Sequence, residues 1–280
     1  MIGYNRLGSN GRFGNQLFQY AALRGIASKH GYEWCIPPKD VSGETNYGIH
    51  HPFKLKHLKN VGFVNFETKE EKSFEFDKEL FENFSDNTNL EGYFQTEKYF
   101  KHIENEIHED FEFIDDILNP CKDFISQFKN IIFLHVRRGD NVGREDYHPI
   151  PTFEYYRKAL EHFDSDCQVF VSTDDVSWCK EQEFFKNDRF LLNENVESYS
   201  FKGKEGDGIF RNSKIPYTDL CLMSLCNGGI LSPSTLSWWG AWLQKNRSNP
   251  VIAPNPWFGP KLSYNNTEDL FPNDWIKLSW

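Results

Sequence analysis

The chain has 280 residues, with 41 acidic and 31 basic side chains and a formal net charge of −10 at pH 7. This length is sufficient for one large or two modest domains, each able to bury a core. An acidic chain is poorly suited to nucleic acid, because binding the phosphate backbone requires a basic surface. A small anionic ligand, held by a few local arginines, is not excluded.

The six cysteines indicate a reduced, intracellular protein. They form no Cys-x-x-Cys pair and no Cys/His cluster with zinc spacing, and several lie in apolar runs. We find no N-terminal signal segment and no apolar run of about 18 residues that could span a membrane. We therefore expect a cytoplasmic protein that is not integral to the membrane. Nothing in the sequence indicates its oligomeric state.

The first predicted elements are a strand, a glycine-containing loop and a helix. Residues 2–7 form a weak strand, and apolar residues at helical spacing follow over residues 15–30. The loop between them ends at Gly14, where the backbone could approach a ligand closely, although a plain structural turn fits equally well. Asn15 and Gln16 are polar residues of the first helical turn and could cap the helix.

A change of pattern near residue 125 divides the chain into two predicted domains, residues 1–125 and 126–280. Before it lies a helical stretch that a proline interrupts, and after it short apolar strands alternate with helices. Such alternation predicts a parallel, right-handed, doubly wound sheet, so the predicted fold class is α/β. The polar residues 193–214 are predicted to form a loop.

The most informative stretch is IIFLHVRRGD. Residues 131–134 are apolar and predict a buried strand, and His135, Arg137, Arg138 and Asp140 follow it. Ligands of open α/β sheets bind outside the carboxyl ends of the strands, and the planar fork of an arginine suits phosphate oxygens. The stretch therefore predicts an anion site at a strand end, suited to a diphosphate. The alternative is a solvated arginine pair on a surface turn.

Two further strand ends are expected to converge on this place. Asp174 and Asp175 follow the second strand, and either could accept two hydrogen bonds from a guanine edge, cap the next helix, or bind a metal. Ser232, Ser234 and Thr235 follow a third strand and begin a helix, whose free backbone N–H groups and dipole favour an anion. Two arginines and this helix start would suffice for a diphosphate without a metal, so we expect no metal site.

Four segments of the chain resemble a known family. HVRRGD fits the His-x-Arg-Arg-x-Asp motif of the α-1,2/α-1,6/protein O-fucosyltransferase superfamily. GRFGNQLFQYA, GYFQTEKYF and SPSTLSWWGAWL are similar to segments of the α-1,2-fucosyltransferases, glycosyltransferase family 11. Arg12 and Pro233 depart from the family pattern, and Pro233 removes one backbone donor from the predicted anion site. The continuation NVGREDYHPI resembles the α-1,6 group more closely.

The resemblance implies a GT-B-like fold, in which two Rossmann-like domains face a cleft. It also implies inverting transfer of L-fucose from GDP-β-L-fucose to the 2-hydroxyl of a terminal galactose on a glycan, without a metal. The C-terminal domain would hold the GDP-fucose and the N-terminal domain the galactoside acceptor. A fucosyltransferase of α-1,6 linkage and a binding protein without turnover are the alternatives. A Rossmann oxidoreductase is disfavoured, because no strand is followed by Gly-x-Gly-x-x-Gly.

The resemblance also assigns roles to the candidate residues. Arg137, and with it Arg138, would stabilise the departing diphosphate. Asp140 and His135 are the available candidates to accept the acceptor's proton; the alternatives are that water takes it late and that either residue is structural support for the arginines. The implied donor contacts are those at the strand ends together with the glycine loop: His135, Arg137, Arg138, Asp174, Asp175, Ser234, Thr235, Gly14, Asn15 and Gln16. The implied acceptor-side residues are Tyr93, Phe94 and Gln95, for which packing of a domain edge is an equally good interpretation.

Overall fold

The computed structural model describes residues 1–39, 48–192 and 216–280. These residues form two compact units, each of which has its own parallel sheet. Unit 1 comprises Met1–Ile114 and Tyr264–Asn273, and unit 2 comprises Asp115–Ser263 and Asp274–Trp280. The predicted loop at 193–214 lies outside the described residues.

Unit 1 is built on a four-stranded sheet of order β2-β1-β4-β3, in which every neighbouring pair is parallel. Its strands are β1 (Ile2–Gly3), β2 (Trp34–Cys35), β3 (Glu67–Glu70) and β4 (Thr88–Glu91). Its helices are α1 (Phe13–His30), α2 (Lys78–Glu82) and α3 (Glu104–Asp110). Helix α1 is buried on nearly all sides, and its buried positions include the polar side chains of Gln16, Gln19 and Arg24 besides the apolar ones. It ends at Gly31, which adopts the left-handed conformation with φ 69° that glycine tolerates best.

Unit 2 is built on a six-stranded parallel sheet of order β10-β9-β8-β5-β6-β7. Its strands are β5 (Ile131–Val136), β6 (Gln168–Thr173), β7 (Phe190–Leu192), β8 (Gly229–Ile230), β9 (Val251–Asn255) and β10 (Ile276–Ser279). Its helices are α4 (Asp115–Ile125), α5 (Phe153–Leu160), α6 (Val176–Glu181), α7 (Pro216–Leu225) and α8 (Thr235–Trp242). Counted within the unit, the strands follow the order 3-2-1-4-5-6 of the doubly wound nucleotide-binding fold. The predicted α/β class with a parallel sheet is confirmed.

The core of unit 2 lies against β5, which is buried along its whole length. Ile132, Leu134 and Val136 pack in one apolar cluster with Tyr155 and Tyr156 of α5. A strand buried on both faces requires an uninterrupted apolar run, and the run at residues 131–134 meets that requirement. Strands β6 and β7 are added on one side of β5, and strands β8, β9 and β10 are added on the other side. The carboxyl ends of β5 and β8 therefore flank the topological switch point.

The division between the units falls before α4, whereas the sequence placed a domain boundary near residue 125. Helix α4 packs on α7 of unit 2, and the thiol of Cys121 lies 4.0 Å from the carbonyl oxygen of Thr218. Residues 264–273 return to unit 1, where Asp269 accepts a hydrogen bond from the backbone N–H of Phe76 at 3.3 Å. The assignment of separate roles to two domains stays a prediction.

All six cysteines are buried free thiols. Their burial follows from their positions in apolar runs, where a thiol behaves as a small hydrophobic side chain. Over residues 1–39, 48–192 and 216–280, the structure contains no helix with the length and apolar character needed to cross a membrane.

Candidate functional site

A buried histidine lies at the switch point of unit 2. His135 is the penultimate residue of β5 and is 3% exposed, and its Nδ1 is hydrogen-bonded to Oγ of Ser232, just past β8, at 2.7 Å. Burial, reinforced by the nearby charge of Arg137, lowers the pKa of the imidazole to about 3. The ring is therefore neutral at pH 7, and it ties the ends of the two strands together.

Arg137 is held between two carboxylates. Its two terminal nitrogens donate to Asp174, at the end of β6, and to Asp140, three residues further along its own loop. Asp174 also accepts a hydrogen bond from the backbone N–H of Arg138 at 2.9 Å. A Cβ atom at Gly139 would collide with the Asp174 carboxylate, so the glycine of the motif permits this close approach.

Arg138 is held by a different set of groups. Its Nε donates to Asp175 at 3.3 Å, and its Cζ lies 3.8 Å from the ring centroid of Trp178. Asp175 is also the N-cap of α6, where it accepts a hydrogen bond from the backbone N–H of Trp178 at 3.1 Å. Trp178 is a residue of this cluster that the sequence did not predict. Its spacing from the capping aspartate places it on the first turn of α6, but nothing in that spacing predicts contact with an arginine.

The charges of this cluster do not favour an anion by themselves. Two guanidinium groups face the three carboxylates of Asp140, Asp174 and Asp175, and the neighbouring His135 is neutral. The carboxylates fix the arginines in place before a ligand binds, which is the arrangement that preorganised electrostatic stabilisation requires. Because the cluster carries one net negative charge, an anion bound here would need further donors.

The beginning of α8 can supply such donors. Ser234 is its N-cap and makes no side-chain capping hydrogen bond, and both Ser234 and Thr235 are half-buried. The first N–H groups of an α-helix have no partner within the helix, and they lie at the positive end of its dipole. Pro233 removes the N–H of the residue before the cap, so the later amides of the first turn are the available donors.

The described residues contain no group of three or more His, Cys, Asp or Glu side chains arranged to hold a metal ion. In this cluster, Asp174 and Asp175 are each engaged with an arginine and a backbone N–H group. One of the three interpretations of the aspartate pair, helix capping, therefore describes Asp175.

The candidate residues of α1 lie in unit 1, and neither polar residue caps the helix. The N-cap is Arg12, Gly14 is buried in the first turn, and Oδ1 of Asn15 accepts a hydrogen bond from the side-chain amide of Gln95 at 3.1 Å. Gln16 is fully buried, and neither polar atom of its side chain has a hydrogen-bond partner among the residues that the structure describes. An unpartnered buried amide is costly, so Gln16 is a candidate for contact with a ligand.

The turn after β4 holds the predicted acceptor-side residues in three different environments. Tyr93 is 42% exposed, whereas Phe94 is fully buried and packs edge-on against Tyr4 and Tyr99. Gln95 is buried and its side-chain amide is hydrogen-bonded to Asn15, so these two predicted site residues are in direct contact.

A half-buried glutamate, which the sequence did not single out, holds this turn. The Glu71 carboxylate accepts hydrogen bonds from the backbone N–H groups of Tyr93 at 2.8 Å and Phe94 at 3.0 Å. Burial raises the pKa of Glu71 to about 7, against the opposing effect of these two hydrogen bonds. The residue lies in a charged surface stretch, and no local pattern distinguishes it from its neighbours.

The 3-2-1-4-5-6 strand order of unit 2 defines a doubly wound α/β protein, and an arginine–carboxylate cluster follows the carboxyl ends of its strands β5 and β6. The family model of Glycosyl transferase family 11 matches residues 1–279. The chain belongs to glycosyltransferase family 11, and the resemblance seen in the sequence is confirmed.

The chain is also similar to individual relatives and to solved structures. An α-1,2-colitosyltransferase of Escherichia coli is 27% identical, with 96% of each chain covered. Galactoside α-(1,2)-fucosyltransferase 2 of Sus scrofa is 24% identical over 96% of this chain and 78% of its own length. Among solved structures, the fucosyltransferase NodZ from Bradyrhizobium matches with a TM-score of 0.56 at 15% identity, covering 85% of this chain and 91% of that one. A matching NodZ structure was co-crystallised with GDP. The fold is thus that of the GT-B-like fucosyltransferases.

Proposed function

We propose that this chain is an inverting galactoside α-1,2-fucosyltransferase. It would transfer L-fucose from GDP-β-L-fucose to the 2-hydroxyl of a terminal galactose on a glycan. The observation that carries this proposal is the arginine–carboxylate cluster at the switch point of unit 2. The family membership and the names of the relatives from Escherichia coli and Sus scrofa support the choice of sugar and linkage.

The donor's diphosphate would bind to Arg138 and to the first turn of α8. Only Nε of Arg138 is used by a described side chain, so its terminal nitrogens can present a bidentate fork to phosphate oxygens. The amides after Ser234 would add neutral donors that offset the acidity of the cluster. One of Asp174 and Asp175 would accept hydrogen bonds from the guanine edge through lone pairs that their present contacts leave open.

Arg137 would act mainly in the transition state. As the bond from the sugar to the diphosphate breaks, negative charge grows on the leaving group, and a guanidinium already fixed by two carboxylates needs no reorganisation to stabilise it. Asp140 is the better candidate for the general base. Its side chain is 45% exposed, whereas the imidazole of His135 is buried and its pKa of about 3 is too low for an effective base at neutral pH. His135 would then support the arginines.

The acceptor would be recognised from unit 1. Tyr93 offers an exposed aromatic ring, which can stack on the apolar face of a sugar. The hydrogen bond between the side chains of Asn15 and Gln95 holds both residues in place. Phe94 would contribute indirectly, since its buried ring fixes the turn that carries Tyr93.

The proposal predicts acceptor-dependent consumption of GDP-fucose. The measurement is the initial rate of GDP release from a panel of nucleotide sugars, with and without β-galactosides, repeated in excess chelator. We expect GDP-fucose to be the preferred donor and the rate to persist in chelator, since the arginines and the α8 amides offset the phosphate charge. Absence of donor consumption with every galactoside would leave only a binding protein and would contradict the proposal.

A second donor is included in the panel because of one specific observation. The Escherichia coli relative that matches 96% of this chain is named as a colitosyltransferase. Nucleotide-linked colitose is therefore the competing donor, and a higher kcat/KM for it than for GDP-fucose would reassign the transferred sugar without changing the class of reaction.

A further inference from the structure

The guanidinium of Arg138 lies on the face of an indole ring. Its Cζ is 3.8 Å from the centroid of the Trp178 ring, well inside the roughly 6 Å limit for a cation–π contact. A guanidinium stacked on an aromatic face keeps its N–H groups free to donate in its own plane. The contact therefore restricts the arginine without using its donors.

Trp178 is itself held in place. Its ring stacks on Phe153 with an interplanar angle of 4° and a centroid separation of 5.6 Å, and Phe153 packs in turn against Phe184 at 5.2 Å. Its backbone N–H donates to the cap residue Asp175. The indole is thus a fixed surface rather than a mobile side chain.

Asp175 joins the two contacts. One oxygen of its carboxylate caps α6 at Trp178, and the other accepts the hydrogen bond from Nε of Arg138 at 3.3 Å. The first turn of α6 therefore holds Arg138 at two points, through a carboxylate at its Nε and through an aromatic ring below its plane.

The two arginines differ in which of their terminal nitrogens already donate a hydrogen bond. Both terminal nitrogens of Arg137 donate to carboxylates, whereas those of Arg138 donate to no residue that the structure describes. We infer that Trp178 is a positioning residue for the donor site, one that holds the free fork of Arg138 in the orientation that binds diphosphate. This inference rests on the proposed function, because it concerns how the donor would be held. A side chain fixed before binding loses less conformational entropy when the ligand arrives.

The test compares GDP affinity across substitutions at Trp178, measured by calorimetry on the full chain. We expect Trp178→Leu to weaken GDP binding by about tenfold, which corresponds to about 1.4 kcal/mol. Trp178→Phe keeps an aromatic face and should stay within about threefold of the wild type, since phenylalanine also attracts cations, though less than tryptophan. The phenylalanine variant also provides a measurement should the leucine variant fold poorly.

A double-mutant cycle separates positioning from general packing. In an Arg138→Gln background the guanidinium is gone, so Trp178→Leu should change GDP affinity by less than about twofold, because coupling requires both partners. The matched control is Phe190→Leu, which opens the same aromatic cluster at a ring that packs on Phe184 and Phe185 rather than on Trp178 or Arg138. It should lower the melting temperature and leave GDP affinity unchanged.

Each failure has a distinct meaning. Wild-type protein that does not bind GDP would overturn both the donor assignment and the role of Trp178. Wild-type protein that binds GDP, with Trp178→Leu binding it equally well, would overturn the positioning role alone. The same would follow if Trp178→Leu lost tenfold in both backgrounds, or if Phe190→Leu lost as much GDP affinity as Trp178→Leu.

Discussion

At the scale of single residues, Arg137 carries the chemistry of the proposal. Its guanidinium is fixed by Asp174 and Asp140, and the loss of one such preorganised donor costs roughly 3–4 kcal/mol, on the order of a hundred- to thousandfold in turnover. We expect Arg137→Ala to be nearly inactive, and Arg137→Lys to be weakly active because lysine keeps the charge but loses the planar fork. Turnover should fall more than GDP affinity, since the stabilised charge grows in the transition state.

The control for this prediction is another arginine of unit 2. Arg247 pairs with Asp274 near the C-terminus of the chain, and Arg247→Ala should retain wild-type turnover. Kinetics, GDP affinity and melting temperature are measured on the same preparations. If Arg137→Ala keeps more than about a third of the wild-type turnover, a loss well under 1 kcal/mol, Arg137 is not catalytic.

At the scale of elements, the turn after β4 depends on one half-buried acid, Glu71. The pKa of Glu71 rises from 4.5 to about 7, chiefly because of burial and to a smaller extent because of the charge of Asp77. Between these two values the unfolded chain releases a proton that the folded chain retains. Stability from this residue therefore falls as pH rises from about 4.5 to 7. Glu71→Gln should remove this pH-dependent loss of stability. The difference between the melting temperatures of the variant and of the wild type should therefore shift in the variant's favour as pH rises across this window.

The matched control for Glu71 lies on β3. Glu67 is exposed, and Glu67→Gln removes the same formal charge from the same part of unit 1. Thermal melts from pH 4.5 to 8 should show this variant running parallel to the wild type. A Glu71→Gln profile that also runs parallel would mean that Glu71 titrates normally in the folded protein.

The sequence predicted those elements whose determinants are local. The apolar run at residues 131–134 lies in the observed strand β5, because an apolar run bounded by polar residues suffices to define a buried parallel strand. The convergence of Arg137 with Asp174 was also predictable, since the carboxyl ends of adjacent parallel strands meet at one edge.

The remaining features depend on contacts that no local pattern encodes. Glu71 reaches Tyr93 across 22 positions in the chain, and Trp178 reaches Arg138 across the loop after β6. The aromatic ring of Phe94 belongs to the core, although its motif placed it at the acceptor side. In each case tertiary packing decides between a surface and a buried position.

At the scale of the whole molecule, the two units carry different parts of the proposed reaction. Unit 2 has the doubly wound sheet with the arginine cluster, and unit 1 has the parallel sheet whose turn after β4 presents Tyr93 and holds Gln95 against Asn15 of α1. The family model spans residues 1–279 and therefore includes both units. The proposed division of roles between them is tested most directly through the product of the reaction.

The most direct measurement is therefore the structure of the product formed from GDP-fucose and a β-galactoside, determined by nuclear magnetic resonance. We predict one fucose in α linkage to O2 of the terminal galactose, formed by the wild type and not by Arg137→Ala. A product linked through any other hydroxyl would contradict the assigned regiochemistry, and a β-linked fucose would contradict inversion of the donor's configuration.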